Sequence, residues 1–261
     1  MKNRFYKISS EEGFTLLELV IAMFLTVIVS TAIYMAYNSQ HKSYTVQEQV
    51  SAMQQNLRAA MYYMQKDIRM AGCDPALKAG GGGQAGAEIM TANVAELEFT
   101  MDITGGEGDG VDNDKDSLVD ENGEWFNGKL GDSSPNLNRY EQIRYGINTN
   151  GELGRAFSGN VALQPIAGNI EVLNFIYLDK NRARLNDDGA GNVVASIDDI
   201  RQIIVTLIAR SDREDPEYTN NTLYKITLPD LTEPTILPAQ GDHFRRRMLS
   251  MTITPRNIIL K

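Results

Sequence analysis

Apolar positions are distributed along this chain in three patterns, and each pattern predicts a different element. From Leu19 to Tyr37 no charged residue occurs. As a helix rising 1.5 Å per residue, that run spans roughly 28 Å, about the thickness of a bilayer hydrocarbon core. Beyond it, Val46, Val50, Met53, Leu57, Met61, Met64, Ile68 and Ala71 recur at alternating spacings of three and four, with Glu48, Arg58, Lys66 and Asp67 off the stripe. This is the period of an amphipathic helix. No proline interrupts the chain between Phe14 and Asp74, Gly72 offers a left-handed cap, and Pro75 follows. Lys66 and Arg69 suit a helix C-terminus. The spacing therefore predicts one helix over 14–71, roughly 87 Å long. Its segment 14–37 spans a membrane and its later half packs on a globular domain. Four or five turns of mixed Val, Met, Leu and Ala favour a sheet-packing face over a coiled coil.

After Gly72 the texture changes. A glycine-rich loop, Ala79 to Gly86, is followed by short runs with strand character: Glu96–Ile103, Tyr140–Ile147, Glu152–Phe157, Ile170–Leu178, Ile200–Arg210, Leu223–Leu228 and Arg246–Pro255. Ile170–Tyr177 and Ile203–Ile208 are the best core strands, while Pro216 and the segment Pro229–Pro238 mark loops. Strands that follow one long helix predict an α+β fold with mainly antiparallel sheet over 72–261.

Composition narrows the functional classes. The chain has 261 residues, room for one sizeable domain plus appendages, and a net charge of -9, which argues against a nucleic-acid partner. Arg245-Arg246-Arg247 reads as a solvated strand start. Cys73 stands alone, so an intrachain disulfide is excluded, and His41 and His243 lack zinc-type spacing. No nucleophile elbow, phosphate loop or Cys-His arrangement occurs, so no enzyme is expected.

The N-terminus carries the most specific signal. Lys2, Arg4 and Lys7 precede the apolar run and predict that they stay in the cytoplasm while the rest of the chain is exported. A secretory signal peptide has a shorter apolar region, and Ser30-Thr31-Ala32 matches its cleavage site weakly. A signal anchor fits length and charge but leaves Glu18 unexplained, an ionisable group inside an apolar helix. The string Gly13-Phe14-Thr15-Leu16-Leu17-Glu18 resembles the class III signal of type IV pilins and type II secretion pseudopilins. In that resemblance Gly13 is the cleavage glycine, Phe14 the methylated first residue and Glu18 the fifth-position glutamate. Residues 1–13 are then a leader. The new amine at Phe14 would stand four residues before Glu18, which could pair with it or with a neighbouring subunit's amine.

Three further strings extend the resemblance to PilW-type minor pilins and J-type pseudopilins. They are Met64 to Gly72, Ile170 to Tyr177, and Arg245 through Asn257. The resemblance implies a minor pilin held in the inner membrane by one span, with its C-terminal domain exported. Its partners would be other minor and major pilins, a prepilin peptidase and an inner-membrane assembly platform. A J-type pseudopilin of a type II secretion system is the alternative. A second alternative is a membrane-anchored calcium-binding or adhesive module that never polymerises. Family position Met35 lacks the proline that often kinks the helix there. Residues 79–139 find no counterpart and read as an insertion.

That insertion holds eight acidic residues and one lysine between Glu107 and Glu124. Acids at alternate positions of a tight turn aim several oxygens at one centre, which suits a hard cation such as calcium. The run resembles the loops of EF-hand-like and thrombospondin-type repeats, and the candidate ligands are Asp112, Asp114, Asp116, the Leu118 carbonyl, and Asp120 or Glu121. It departs from them at Ser117, which replaces the turn glycine, and at Gly123, which replaces the bidentate glutamate. The competing reading is a loop kept open by mutual repulsion. If calcium binds, it should protect residues 107–124 from limited proteolysis and magnesium should not. An Asp112→Ala, Asp114→Ala double variant should lose that protection while the sheet domain stays folded. Identical cleavage with calcium and with chelator would remove the metal assignment.

Overall fold

The computed structural model describes residues 13–73, 89–101, 142–157, 162–185, 193 and 197–258. Residues 1–12, most of the expected leader, and the acidic run from Asp112 to Glu121 lie outside the described residues. The chain divides into two compact units, residues 1–48 and 49–261. One helix, α1, covers Leu16–Met70 and belongs to both.

In the larger unit, the predicted stripe is buried at Met53, Leu57, Met61, Met64, Ile68 and Ala71 and half-buried at Val50, and Ala60 is buried beside it. The C-terminal stop is also as the pattern foretold. Gly72 takes φ 74°, a left-handed conformation that costs glycine no Cβ strain. Its N–H donates to the Thr100 carbonyl at 2.9 Å, which fastens the helix end to the sheet. Carbonyls of the last turn find donors in the C-terminal tail: Arg69 accepts from the Arg256 N–H at 3.1 Å and Met70 from the Asn257 side chain at 3.4 Å. These bonds fill acceptors that every helix end leaves open.

A five-stranded antiparallel meander follows in chain order: β1 (Ile89–Ala92), β2 (Leu97–Thr100), β3 (Gln142–Ile147), β4 (Leu153–Phe157) and β5 (Gln164–Ala167). A second antiparallel sheet places β7 (Gln202–Arg210) between β6 (Ile170–Leu178) and β10 (Arg246–Ile253). A small pair joins β8 (Tyr224–Lys225) to β9 (Thr235–Leu237). The fold is α+β, one long N-terminal helix with antiparallel sheets. The stretch read as an insertion is not peripheral throughout. Residues 89–101 supply β1 and β2, and Leu97 and Phe99 are fully buried. Strands β1, β5 and β9 were not foreseen, because runs of three or four residues are too short to show a period.

One core unites the later half of α1 with both larger sheets; Met61, Met64, Phe99, Phe175, Val205 and Leu207 all belong to it. Each such side chain contributes about 1.5–3 kcal/mol by leaving water. Strand β7 is buried on both faces, which explains its unbroken apolar run. Alternate residues from Ile203 to Ala209 face the core. On the opposite face Ile204 meets Ile176, Leu178, Ile226 and Leu228. Thr206, wholly buried, shares a 2.9 Å hydrogen bond with Ser250.

Two charged residues depart from their sequence reading. Asp67 is buried rather than solvated. Its Oδ2 accepts from the Tyr145 hydroxyl and from Arg155 Nε, each at 2.6 Å. Burial, reinforced by the neighbouring Asp67 carboxylate, pushes the Tyr145 hydroxyl well above its ordinary pKa and keeps it a donor. Arg246 does start a strand, but its side chain is only 1 % exposed. It bonds both Glu171 and Asp242. The Arg246 guanidinium holds the Asp242 carboxyl below the ordinary range. Arg245 lies over the Tyr218 ring and pairs with Asp215 at 2.6 Å.

Removing one partner of a buried pair strands the other charge, which costs about 3–5 kcal/mol. Asp67→Ala should therefore destabilise the full chain by about that much in denaturant unfolding. The double variant Asp67→Leu, Arg155→Met should lose less than the single one. A loss below about 1 kcal/mol for Asp67→Ala would mean that the pair does not anchor the helix.

Candidate assembly site

The smaller unit is described by itself. Its helix begins at Leu16, two residues later than the spacing predicts, because Thr15 and Glu18 close a reciprocal cap. The Thr15 N–H and hydroxyl both donate to Glu18 Oε2 at 2.9 Å, and the Glu18 N–H donates to the Thr15 hydroxyl at 3.3 Å. This is a capping box, with threonine at the N-cap and glutamate three residues on. The sequence signal, Thr-x-x-Glu at the front of an apolar helix, was present in Thr15-Leu16-Leu17-Glu18 but was not read as a cap.

The cap alters the geometry expected of Glu18. Phe14 and Thr15 precede the helix, so Phe14 does not share a helical face with Glu18 in this uncleaved chain. Oε2 is engaged with Thr15, while Oε1 has no hydrogen-bond partner among the described residues. One carboxylate oxygen therefore holds the first turn and the other remains open to a donor from outside.

Residues 13–37 are exposed throughout, Phe14 at 90 % and Phe24 at 68 % among them. An apolar surface of this extent marks a contact with lipid or with other proteins. The helix is long and apolar enough to cross a membrane. Two of its hydroxyls have partners within the helix. The Thr26 hydroxyl donates to the Ala22 carbonyl at 2.7 Å and the Thr31 hydroxyl to Val27 at 2.8 Å, the back-bonding that a medium without water favours. Tyr34 and Tyr37 follow, also exposed, where an interfacial aromatic belt would fall.

Gly13 lies just ahead of the cap. Its φ is not left-handed, and a Cβ built there would meet no atom within 4 Å. Nothing in the fold demands glycine at this position.

A family model described as the prokaryotic N-terminal methylation motif matches residues 8–34, a span that contains Gly13, Phe14 and Glu18. The chain carries a prokaryotic N-terminal methylation motif. No curated relative matches the chain at a significant level. Among solved structures, the chain is similar to a type IV-like pilin from Thermus thermophilus, at 13 % identity and a TM-score of 0.42, over 78 % of this chain and 96 % of that one.

Among the described residues no group of three or more His, Cys, Asp or Glu side chains converges on a point that could hold a metal ion. The calcium candidates Asp112, Asp114, Asp116, Leu118, Asp120 and Glu121 lie outside the described residues.

Proposed function

We propose that this chain is a minor pilin of a type IV pilus, of the PilW type, made with a leader over residues 1–13. A prepilin peptidase removes the leader after Gly13 and the new Phe14 amine is methylated. The helix over Leu16–Met70 holds the protein in the inner membrane through its first part, and the domain over 72–261 is exported. The protein then joins other minor and major pilins at the assembly platform, priming a filament or forming its tip. The observation that carries this reading is the methylation motif over residues 8–34, whose helical part is exposed and carries no charge after Glu18. Gly13 adds support, since its identity answers no steric need of the fold and so suits recognition by a processing enzyme. A J-type pseudopilin of a type II secretion system would share each of these features; neighbouring genes for a retraction ATPase or for a secretin distinguish the two.

Glu18 has two roles in this reading. Through Oε2 it caps the first turn, and through its charge it pairs with the methylated amine of a neighbouring subunit. A carboxylate stranded in lipid costs about 2.5–3.5 kcal/mol at mid-membrane on insertion scales, so pairing favours assembly.

Mass spectrometry of the N-terminal peptide should find Phe14, N-methylated, with the apolar helix retained. A mature start beyond Ala32, or an intact Met1 in assembled material, would overturn the pilin reading. Glu18→Gln keeps a competent cap but removes the charge, whereas Glu18→Leu removes both. Both variants should be inserted and cleaved, and both should enter filaments poorly. Normal assembly with Glu18→Gln would show that the charge is not needed and that only the cap matters.

A further inference from the structure

The two larger sheets have four outer edges, and three are blunted against further strand pairing. β1 carries a register irregularity between Ile89 and Thr91. β5 contains Pro165 and pairs with β4 through another irregularity. On β6 the outward backbone groups are taken: the Phe175 N–H donates to the Val94 carbonyl at 2.8 Å, and the Tyr177 carbonyl accepts from the Leu185 N–H at 2.9 Å. Bulges, prolines and covering loops are the usual protections of an edge.

β10 is covered at its start, where the Tyr224 hydroxyl donates to the Arg246 carbonyl, but from Met248 to Thr252 it has none of them among the described residues. Its eight residues pair with β7 in unbroken register, without proline. The Ser211 N–H donates to the Arg245 carbonyl, which extends the same register by one pair and sets its phase. Hydrogen-bonded pairs alternate in an antiparallel ladder. Arg247, Leu249 and Met251 therefore bond to β7, while Met248, Ser250 and Thr252 turn their N–H and C=O groups away from it. Those outward groups have no hydrogen-bond partner among the described residues. Beside the start of this edge opens a groove of about 300 Å³, lined by Val50, Met53, Tyr218, Tyr224, Arg247 and Met248. Of the three successive arginines, Arg245 and Arg246 are held by carboxylates. Arg247 is exposed and has no ion pair among the described residues.

We infer that the β10 edge is a docking site for an extended, carboxylate-bearing segment of a partner protein, which adds an antiparallel strand at Met248–Thr252 and places its acid at Arg247. Main-chain bonds provide the adhesion, as in other strand additions, and the groove and the unpaired guanidinium provide the selectivity. The inference rests on sheet geometry and does not depend on the filament reading.

Three acetylated, amidated, fluorescein-labelled hexapeptides of alternating threonine and valine test it against the full chain in detergent micelles. The first ends in glutamate, which antiparallel pairing brings to Arg247; the second ends in lysine; the third has prolines in place of threonines. Fluorescence anisotropy should show saturable binding of the glutamate peptide, about three- to fivefold tighter than the lysine peptide, and none for the proline peptide. Arg247→Glu leaves the backbone alone and should invert the preference. Thr252→Pro removes an outward N–H without a ladder bond at an exposed position and should abolish binding while circular dichroism stays unchanged. Failure of the glutamate peptide to bind up to about 1 mM, equal binding of the proline peptide, or an unchanged preference in Arg247→Glu would overturn the proposal. Self-association of the full chain that Thr252→Pro abolishes would also overturn it, since the occupant would then be a second copy.

Discussion

The larger unit depends on covering one apolar stripe, Met53 to Ala71, on a helix that has no partner α-helix among the described residues. A stripe of methionine, leucine, isoleucine and alanine side chains can be buried only against another layer, and the two antiparallel sheets supply it. Much else follows from that demand. β7 must be apolar on both faces because it lies between the helix side of the core and the cluster around Ile226 and Leu228. β1 and β2 must return to the helix end because Gly72 bonds Thr100 there. The tail after β10 reaches back to the helix end, where the Arg256 N–H bonds the Arg69 carbonyl and the Asn257 side chain joins the Cys73 N–H on that of Met70.

Polar groups brought inside by this packing are paired with care. Asp67 lies on the covered side of the helix, so its charge is tolerable only with Arg155 and the Tyr145 hydroxyl against it. Arg246 is enclosed between Glu171 and Asp242 and joins the last strand to β6. The two networks act as registers. Each ties elements that hydrophobic contact alone would allow to slide, because an unpaired buried charge penalises every other alignment.

The smaller unit obeys the opposite rule. Its side chains from Phe14 to Tyr37 are apolar and uncovered, and its polar groups are satisfied within the helix itself. The capping box at Thr15 and Glu18 extends that economy to the first turn, where N–H groups would otherwise be left open. The Glu18 carboxylate holds the first turn through one oxygen and makes no second bond among the described residues.

Local periodicity determined a good part of this protein in advance. The stripe at spacings of three and four, the stop at Gly72, and strands β6 and β7 were all legible, because each is a pattern within a few consecutive residues. So was the motif Gly13-Phe14 with Glu18, which lies in one continuous string. Tertiary structure decided the rest. Asp67 reads as a polar residue off the stripe; its burial follows from partners 78 and 88 residues away. Arg246 reads as part of a solvated basic run, and only the approach of Glu171, 75 residues distant, encloses it. Which edge of a sheet stays open is likewise invisible in any one strand, since β6 and β10 differ only in what the fold lays beside them. Periodicity reports the environment a segment needs, whereas pairing and exposure depend on which distant segments arrive to provide it.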